Sequence, residues 1–169
     1  MGKRSNMEKI PRDFYPTPGD PVDALMPHLV GSVLFHEPCA GDGTLVRHLM
    51  DRGHSPVGMT DIEPRSCFVG EGDAMALESC YGNMFITNPP YTWSVLSPMI
   101  SHLSSLAITW LLLPADMAHN KRMAPHMARC ASMVSVGRVK WFNNKTGMEN
   151  SAWYQFCDHE VPTIFYGRK

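Results

Sequence analysis

Charge is scarce in this sequence: 18% of its 169 residues are Asp, Glu, Lys or Arg, against 44% hydrophobic residues. That balance excludes a disordered or fibrous chain and predicts a globular fold with a real core. Nowhere do apolar residues run for the ~20 positions that a membrane-spanning helix requires. The opening MGKRSNMEKIPRDF is polar and lacks the apolar centre of a secretory signal. Cysteine is sparse as well. The five cysteines (Cys39, Cys67, Cys80, Cys130, Cys157) are odd in number and scattered, so no disulfide framework is expected. The sequence also lacks internal repeats, low-complexity tracts and linker-like segments, and its length suits one domain. The expectation is a single intracellular, cytoplasmic domain.

The net charge of -1 hides a segregation. Residues 1–12 carry four basic and one acidic side chain, residues 13–120 three basic and twelve acidic, and residues 121–169 eight basic and three acidic. Residues 1–12 show no periodicity and read as a flexible basic arm ahead of a domain at 13–169. An acidic middle suits a cationic cofactor and a basic end suits a polyanion, although a solvated surface can segregate in the same way.

Apolar runs of strand length alternate with helical patterns. Strands are expected at 33–36, 56–60, 67–69, 83–87, 107–113, 133–141 and 152–158, and helices at 43–52, 94–104 and 118–130. The run 107–113 is the most apolar and should be a central strand buried on both faces. About ten residues join the last two strands, too few for a helical crossover, so the last strand should be antiparallel. Such alternation predicts an α/β sandwich with a seven-stranded, mostly parallel sheet.

In open parallel sheets, ligands bind beyond the carboxyl ends of the strands, and four such ends carry loaded sequences. After the first comes Glu37-Pro38-Cys39-Ala40-Gly41-Asp42-Gly43, whose two glycines let the backbone approach a ligand closely. The third glycine of the dinucleotide-binding GxGxxG pattern is missing, since Leu45–Arg47 has none. After the second comes Asp61-Ile62, with Asp61 eighteen positions beyond Gly43, about where a nucleoside-binding fold puts a carboxylate on the ribose. After the third comes Gly72-Asp73-Ala74. After the fourth comes Asn88-Pro89-Pro90-Tyr91. Two prolines stiffen the backbone there, so the Asn88 amide and the Pro89 carbonyl can act as a rigid pair of acceptors, with Tyr91 as a flat wall. A planar amine needs that combination. A proline-rich turn with a core tyrosine is the plainer alternative.

Taken together, the four loops resemble the amino-group methyltransferases that use S-adenosylmethionine, and among them the DNA N6-adenine methyltransferases, especially small phage-type ones. The likeness spans residues 13–158. It implies a three-layer α/β/α, Rossmann-like class I fold and S-adenosylmethionine as cofactor. Asp13-Phe14-Tyr15-Pro16-Thr17-Pro18 resembles the N-terminal cofactor motif, in which a Thr-Pro pair opens a helix and meets the cofactor carboxylate. The resemblance then assigns Glu37, Pro38, Ala40, Gly41 and Gly43 to the methionine part, Asp61 to the ribose, and Ile62, Asp73 and Ala74 to the cofactor adenine. Asn88–Tyr91 matches the catalytic motif, with Asn88 also beside the cofactor. Arg138-Val139-Lys140-Trp141-Phe142 is similar to the later motif whose ring packs on the flipped target base. Trp141, Phe142 and Trp153 are the candidates for that ring, opposite Tyr91.

Larger members carry a separate target-recognition domain, for which 169 residues leave no room. Either short loops read the target, or a partner does, or selectivity is low; Lys121, Arg122, Arg129 and Lys140 and the loop 143–151 are the candidates for meeting DNA, with a solvated surface as the plainer alternative. No metal is expected: His126 and Cys130 sit at helical spacing without further ligands. Two other classes share these features. One is methylation of RNA or of a protein glutamine amide; the other is a non-catalytic nucleic-acid-binding subunit that kept the fold.

Overall fold

A computed structural model describes residues 15–142 and 145–168 of the chain. The expected basic arm at 1–12, and Asp13 and Phe14 of the Thr-Pro motif, lie outside the described residues. The strands are β1 (Leu34–Glu37), β2 (Ser55–Asp61), β3 (Gly70–Glu71), β4 (Met84–Thr87), β5 (Ile108–Pro114), β6 (Cys130–Phe142), β7 (Lys145–Phe156) and β8 (Ile164–Tyr166). The helices are α1 (Gly19–Leu25), α2 (Thr44–Met50), α3 (Trp93–Leu106) and α4 (Ala124–Met127). The strands form one sheet in the order β3-β2-β1-β4-β5-β7-β6-β8. Among the described residues only β7 is antiparallel to its neighbours; the remaining pairings are parallel.

Alternation along the strands sorts the core. On one face Phe35, Ile86, Trp110, Leu112 and Trp153 pack with Val22 and Leu25 of α1 and Leu45, Val46 and Leu49 of α2. On the other, Leu111, Leu113, Tyr154 and Phe156 pack with Leu96 and Ile100 of α3, and Phe85 packs with Met99 and Leu103. Sequence neighbours such as Phe85 and Ile86 thus serve opposite layers, the period of two that a pleated strand imposes. In β5 five consecutive residues, Thr109–Leu113, are buried. The result is the expected three-layer α/β/α arrangement.

Four expectations need correction. Among the described residues the sheet has eight strands, not seven: β8 follows Pro162, is three exposed residues long, and shows no alternation that a sequence pattern could reveal. The third strand is at Gly70–Glu71 rather than 67–69 and pairs only with β2. The loop expected at 143–151 is largely strand, because the β6–β7 ladder runs out to Phe142 and Lys145. This extension passes Pro114, where β5 ends, although Val139 of β6 still packs into the core. The helix expected at 118–130 is broken into 3-10 turns at Ala115–His119 and Lys121–Met123 followed by the four-residue α4. Asn120 is extended there, with φ -77° and ψ 128°, and Pro125 has no amide to donate.

Candidate functional site

Parallel strands deliver the loops that follow them to one edge of the sheet. There the loops after β1, β2, β3 and β4, with the segment ahead of α1, enclose a cavity of about 570 Å³. Of the residues singled out from sequence, Tyr15, Thr17, Glu37, Pro38, Ala40, Gly41, Asp61, Ile62, Asp73, Ala74, Asn88 and Pro90 line it. Pro18, Gly43, Pro89 and Tyr91 do not. Pro18 caps α1 and Gly43 caps α2. Arg65, Met75, Val95 and Met99 also line the cavity. They belong to no motif and reach it only because their elements pass beside it.

The glycine-rich loop is clamped to the end of β2. Gly41 and Gly43 have φ of 55° and 78°, a left-handed backbone that side chains disfavour. This lets the Ala40 amide reach the Thr60 carbonyl at 2.9 Å. The Gly41 amide donates to Asp61 Oδ2 at 2.8 Å, and the Glu63 amide donates to Asp61 Oδ1 at 2.8 Å. Asp61 therefore ties two loops together, and each of its oxygens keeps a lone pair for a further donor. Asp73 accepts from the Met75 amide at 2.9 Å, which fixes the turn carrying Ala74.

Glu37 is 2% exposed, and its Oε2 has no hydrogen-bond partner. Burial first, then the nearby Asp61 and Asp42, push its carboxyl well above the ordinary carboxylate range, while the Val46 amide of α2 works against that shift. A buried acid with one unpartnered oxygen beside two more acids is a poor place for an anion and a good one for a cation. In the same loop, burial drives the Cys39 thiol far above its ordinary value, and Asp61 and Glu37 add to that, which disfavours the thiolate.

Asn88 leaves β4 with its amide held on three sides. Nδ2 donates to the Tyr15 carbonyl at 3.3 Å and to Thr17 Oγ1 at 3.2 Å, and Oδ1 accepts from the Tyr91 hydroxyl at 2.9 Å. The Tyr91 ring is half-buried against the α3 side of the core. Trp141 meets Tyr15 edge-on, with ring centroids 6.1 Å apart and planes at 62°. Trp153 is fully buried and its indole nitrogen donates to the Pro21 carbonyl at 2.7 Å, so it serves the core. The side chain of Phe142 lies outside the described residues.

The basic residues divide. Lys121, Arg122 and Lys140 are exposed. Arg122 lies 4.5 Å over the ring of Trp93, at the start of α3 and two residues after Tyr91. Arg129 is committed internally: its Nε donates to the Cys157 carbonyl at 2.9 Å and another guanidinium nitrogen to Ser104 Oγ. His126 pairs with Ser97 Oγ at 3.0 Å. Among the described residues, no three His, Cys, Asp or Glu side chains converge as metal ligands. Nor is any helix among them long and apolar enough to cross a membrane.

No family model matches the chain, and no curated protein does. Solved structures do resemble it. A candidate RNA methyltransferase of Pyrococcus horikoshii superposes with a TM-score of 0.63 at 14% identity, over 89% of this chain and 88% of that one. The methyltransferase subunit of a type I restriction-modification system from Streptococcus thermophilus gives 0.58 at 10% identity, over 90% of this chain and 47% of the other. A dimethyladenosine transferase from Plasmodium falciparum gives 0.54 at 15% identity, over 85% and 62%. At these identities the likeness concerns the fold alone: the chain has the Rossmann-like fold of class I methyltransferases.

Proposed function

We propose that this chain is an S-adenosylmethionine-dependent methyltransferase acting on the exocyclic N6 amine of adenine in DNA. The observation that carries the reading is the Asn88 amide, held by three hydrogen bonds at the wall of a cavity that Glu37, Asp42, Asp61 and Asp73 also line. The fit to that cofactor rests on the donor set. Glu37, buried with an unpartnered oxygen, would take the ammonium, and Asp61, through its remaining lone pairs, the ribose hydroxyls. Exposed Ile62 would lie on the adenine, whose edge Asp73 and Ala74 would read. When bound, the cofactor supplies a sulfonium-activated methyl group.

The chain's own residues then handle the acceptor. An adenine amine in a duplex lies within the stack, so the base must be flipped at a cost of a few kcal/mol. Tyr91, on the Asn88 side, offsets part of that cost by stacking, with Trp141 as the second ring. Asn88 Oδ1 and the Pro89 carbonyl accept the two amine hydrogens, which favours a pyramidal nitrogen with its lone pair aimed into the cavity. The amine nitrogen would take the methyl group that the cofactor supplies and would lose its proton to solvent afterwards, so no strong base is needed beforehand. Alignment of the two reactants supplies much of the rate. Lys121, Arg122 and Lys140 would meet backbone phosphates.

The test is product analysis. Purified protein is incubated with labelled cofactor and, separately, DNA, RNA and a protein substrate bearing an exposed glutamine, and the products are digested and analysed by mass spectrometry. N6-methyladenine from DNA is expected, and Asn88→Ala should reduce it by orders of magnitude with cofactor binding nearly unchanged. Methylation confined to RNA or glutamine would reassign the substrate. Cofactor binding without any product would leave a non-catalytic subunit.

A further inference from the structure

An amide has two ends, and only one serves an amine substrate. With Oδ1 toward the substrate, Asn88 accepts an amine hydrogen; with Nδ2 there, donor would face donor. Rotation by half a turn exchanges the two at almost no torsional cost, so something outside the side chain must choose.

The Tyr15 carbonyl makes the choice, and Thr17 holds it. The Tyr15 carbonyl can only accept, so at 3.3 Å it must face Nδ2, because a flipped amide would set oxygen against oxygen. Thr17 Oγ1 is the second acceptor, at 3.2 Å, and Thr17 is 3% exposed, which leaves it little freedom to turn away. The Tyr91 hydroxyl donates to the opposite end. The Trp141 ring, edge-on to Tyr15, steadies the segment that presents the carbonyl. A threonine hydroxyl has two lone pairs and one hydrogen. Asn88 uses a lone pair, so the hydrogen remains available to donate into the cavity that Thr17 also lines.

We propose that Thr17 is a positioning residue for Asn88: its hydroxyl, accepting from Nδ2 beside the Tyr15 carbonyl, holds the amide in the orientation that the carbonyl selects, with Oδ1 toward the acceptor base. This assignment rests on the methyl-transfer reading, and it gives the segment ahead of α1 a task beyond holding a cofactor. A residue that served the cofactor alone would alter cofactor affinity and leave turnover at saturation intact. A residue that orients Asn88 acts on turnover whatever the cofactor concentration.

The experiment compares Thr17→Val, Thr17→Ala and Thr17→Ser. The first two should lower kcat tenfold or more at saturating cofactor, and Thr17→Ser should restore most of it. Alongside, the Asn88 side-chain amide resonance, assigned by its loss in Asn88→Ala, is followed by NMR in the unliganded protein. It should shift and exchange faster with water in Thr17→Val and Thr17→Ala, and stay near its wild-type position in Thr17→Ser. A raised cofactor KM with unchanged kcat in both truncations would overturn the proposal, as would an unmoved amide resonance. A wild-type protein that methylates nothing would count against the methyl-transfer reading alone, and the resonance would then decide the role of Thr17 by itself.

Discussion

The hydroxyl of Tyr91 donates to Asn88 Oδ1 at 2.9 Å, so the stacking ring and the amine acceptor of the proposed site are joined. Tyr91→Phe keeps the ring and removes the tether. A neutral hydrogen bond contributes about 0.5–1.5 kcal/mol, so turnover should fall by no more than about tenfold. Tyr91→Ala removes the ring as well and should impair both base flipping and turnover far more. Steady-state kinetics with a fluorescent base analogue at the target position would separate the two steps. If Tyr91→Phe proved as inactive as Tyr91→Ala, the hydroxyl rather than the ring would be the functional group.

Glu37 carries a pH dependence of definite sign. Burial raises its carboxyl above the ordinary range, so the folded protein holds a proton that the unfolded chain has released. Within that window stability falls as pH rises. Glu37→Gln, which never ionises, should flatten the slope and be the more stable protein at pH values above the window. A cationic ligand favours the carboxylate, so affinity for S-adenosylmethionine should rise with pH through the same window as binding releases a proton. Calorimetry in buffers of different ionisation enthalpy would register that proton, and a proton-neutral binding event would remove Glu37 from the ammonium site.

Asp61 has a double task, which makes its substitution informative. It accepts the Gly41 and Glu63 amides and, in the proposed complex, the ribose hydroxyls. Asp61→Ala should weaken cofactor binding tenfold or more, with a lower thermal midpoint because two loop amides lose their partner. Asp61→Asn turns an NH2 toward one of those amides and should lose part of both. Cofactor affinity at the wild-type level in Asp61→Ala would place the ribose elsewhere.

Lys121 and Arg122 should behave differently from Arg129. Charge reversal of the exposed pair should weaken DNA binding and flatten its dependence on salt, because fewer counterions are released. Arg129→Ala should instead lower stability, since it frees the Cys157 carbonyl and Ser104 from their partner, while leaving the salt slope alone. An unchanged slope after charge reversal would take the phosphate track away from this turn.

Much of this arrangement was legible in the residues. Strand–helix alternation, the apolar run of β5 and the short connection before β7 pointed to a three-layer sandwich with one antiparallel strand, because those signals come from local periodicity and connection length. The four loops of the cavity were legible too, since Gly41, Asp61, Asp73 and Asn88 stand at strand ends or within four residues beyond them, and a parallel sheet must bring such positions together. What lacked a signal was structure held by distant partners. β8 exists only because β6 offers its edge, and residues 145–150 of the outer β6–β7 ladder show no apolar alternation. The helix expected at 118–130 gave way at Asn120 and Pro125. Tertiary structure also decided how individual side chains are used. It sent Trp153 into the core and turned Arg129 inward to Cys157 and Ser104. It also set the Asn88 amide against Tyr15 and Thr17, more than seventy positions earlier in the chain. Periodicity is a property of neighbouring residues, whereas hydrogen-bond partnership depends on contacts that only the folded chain makes.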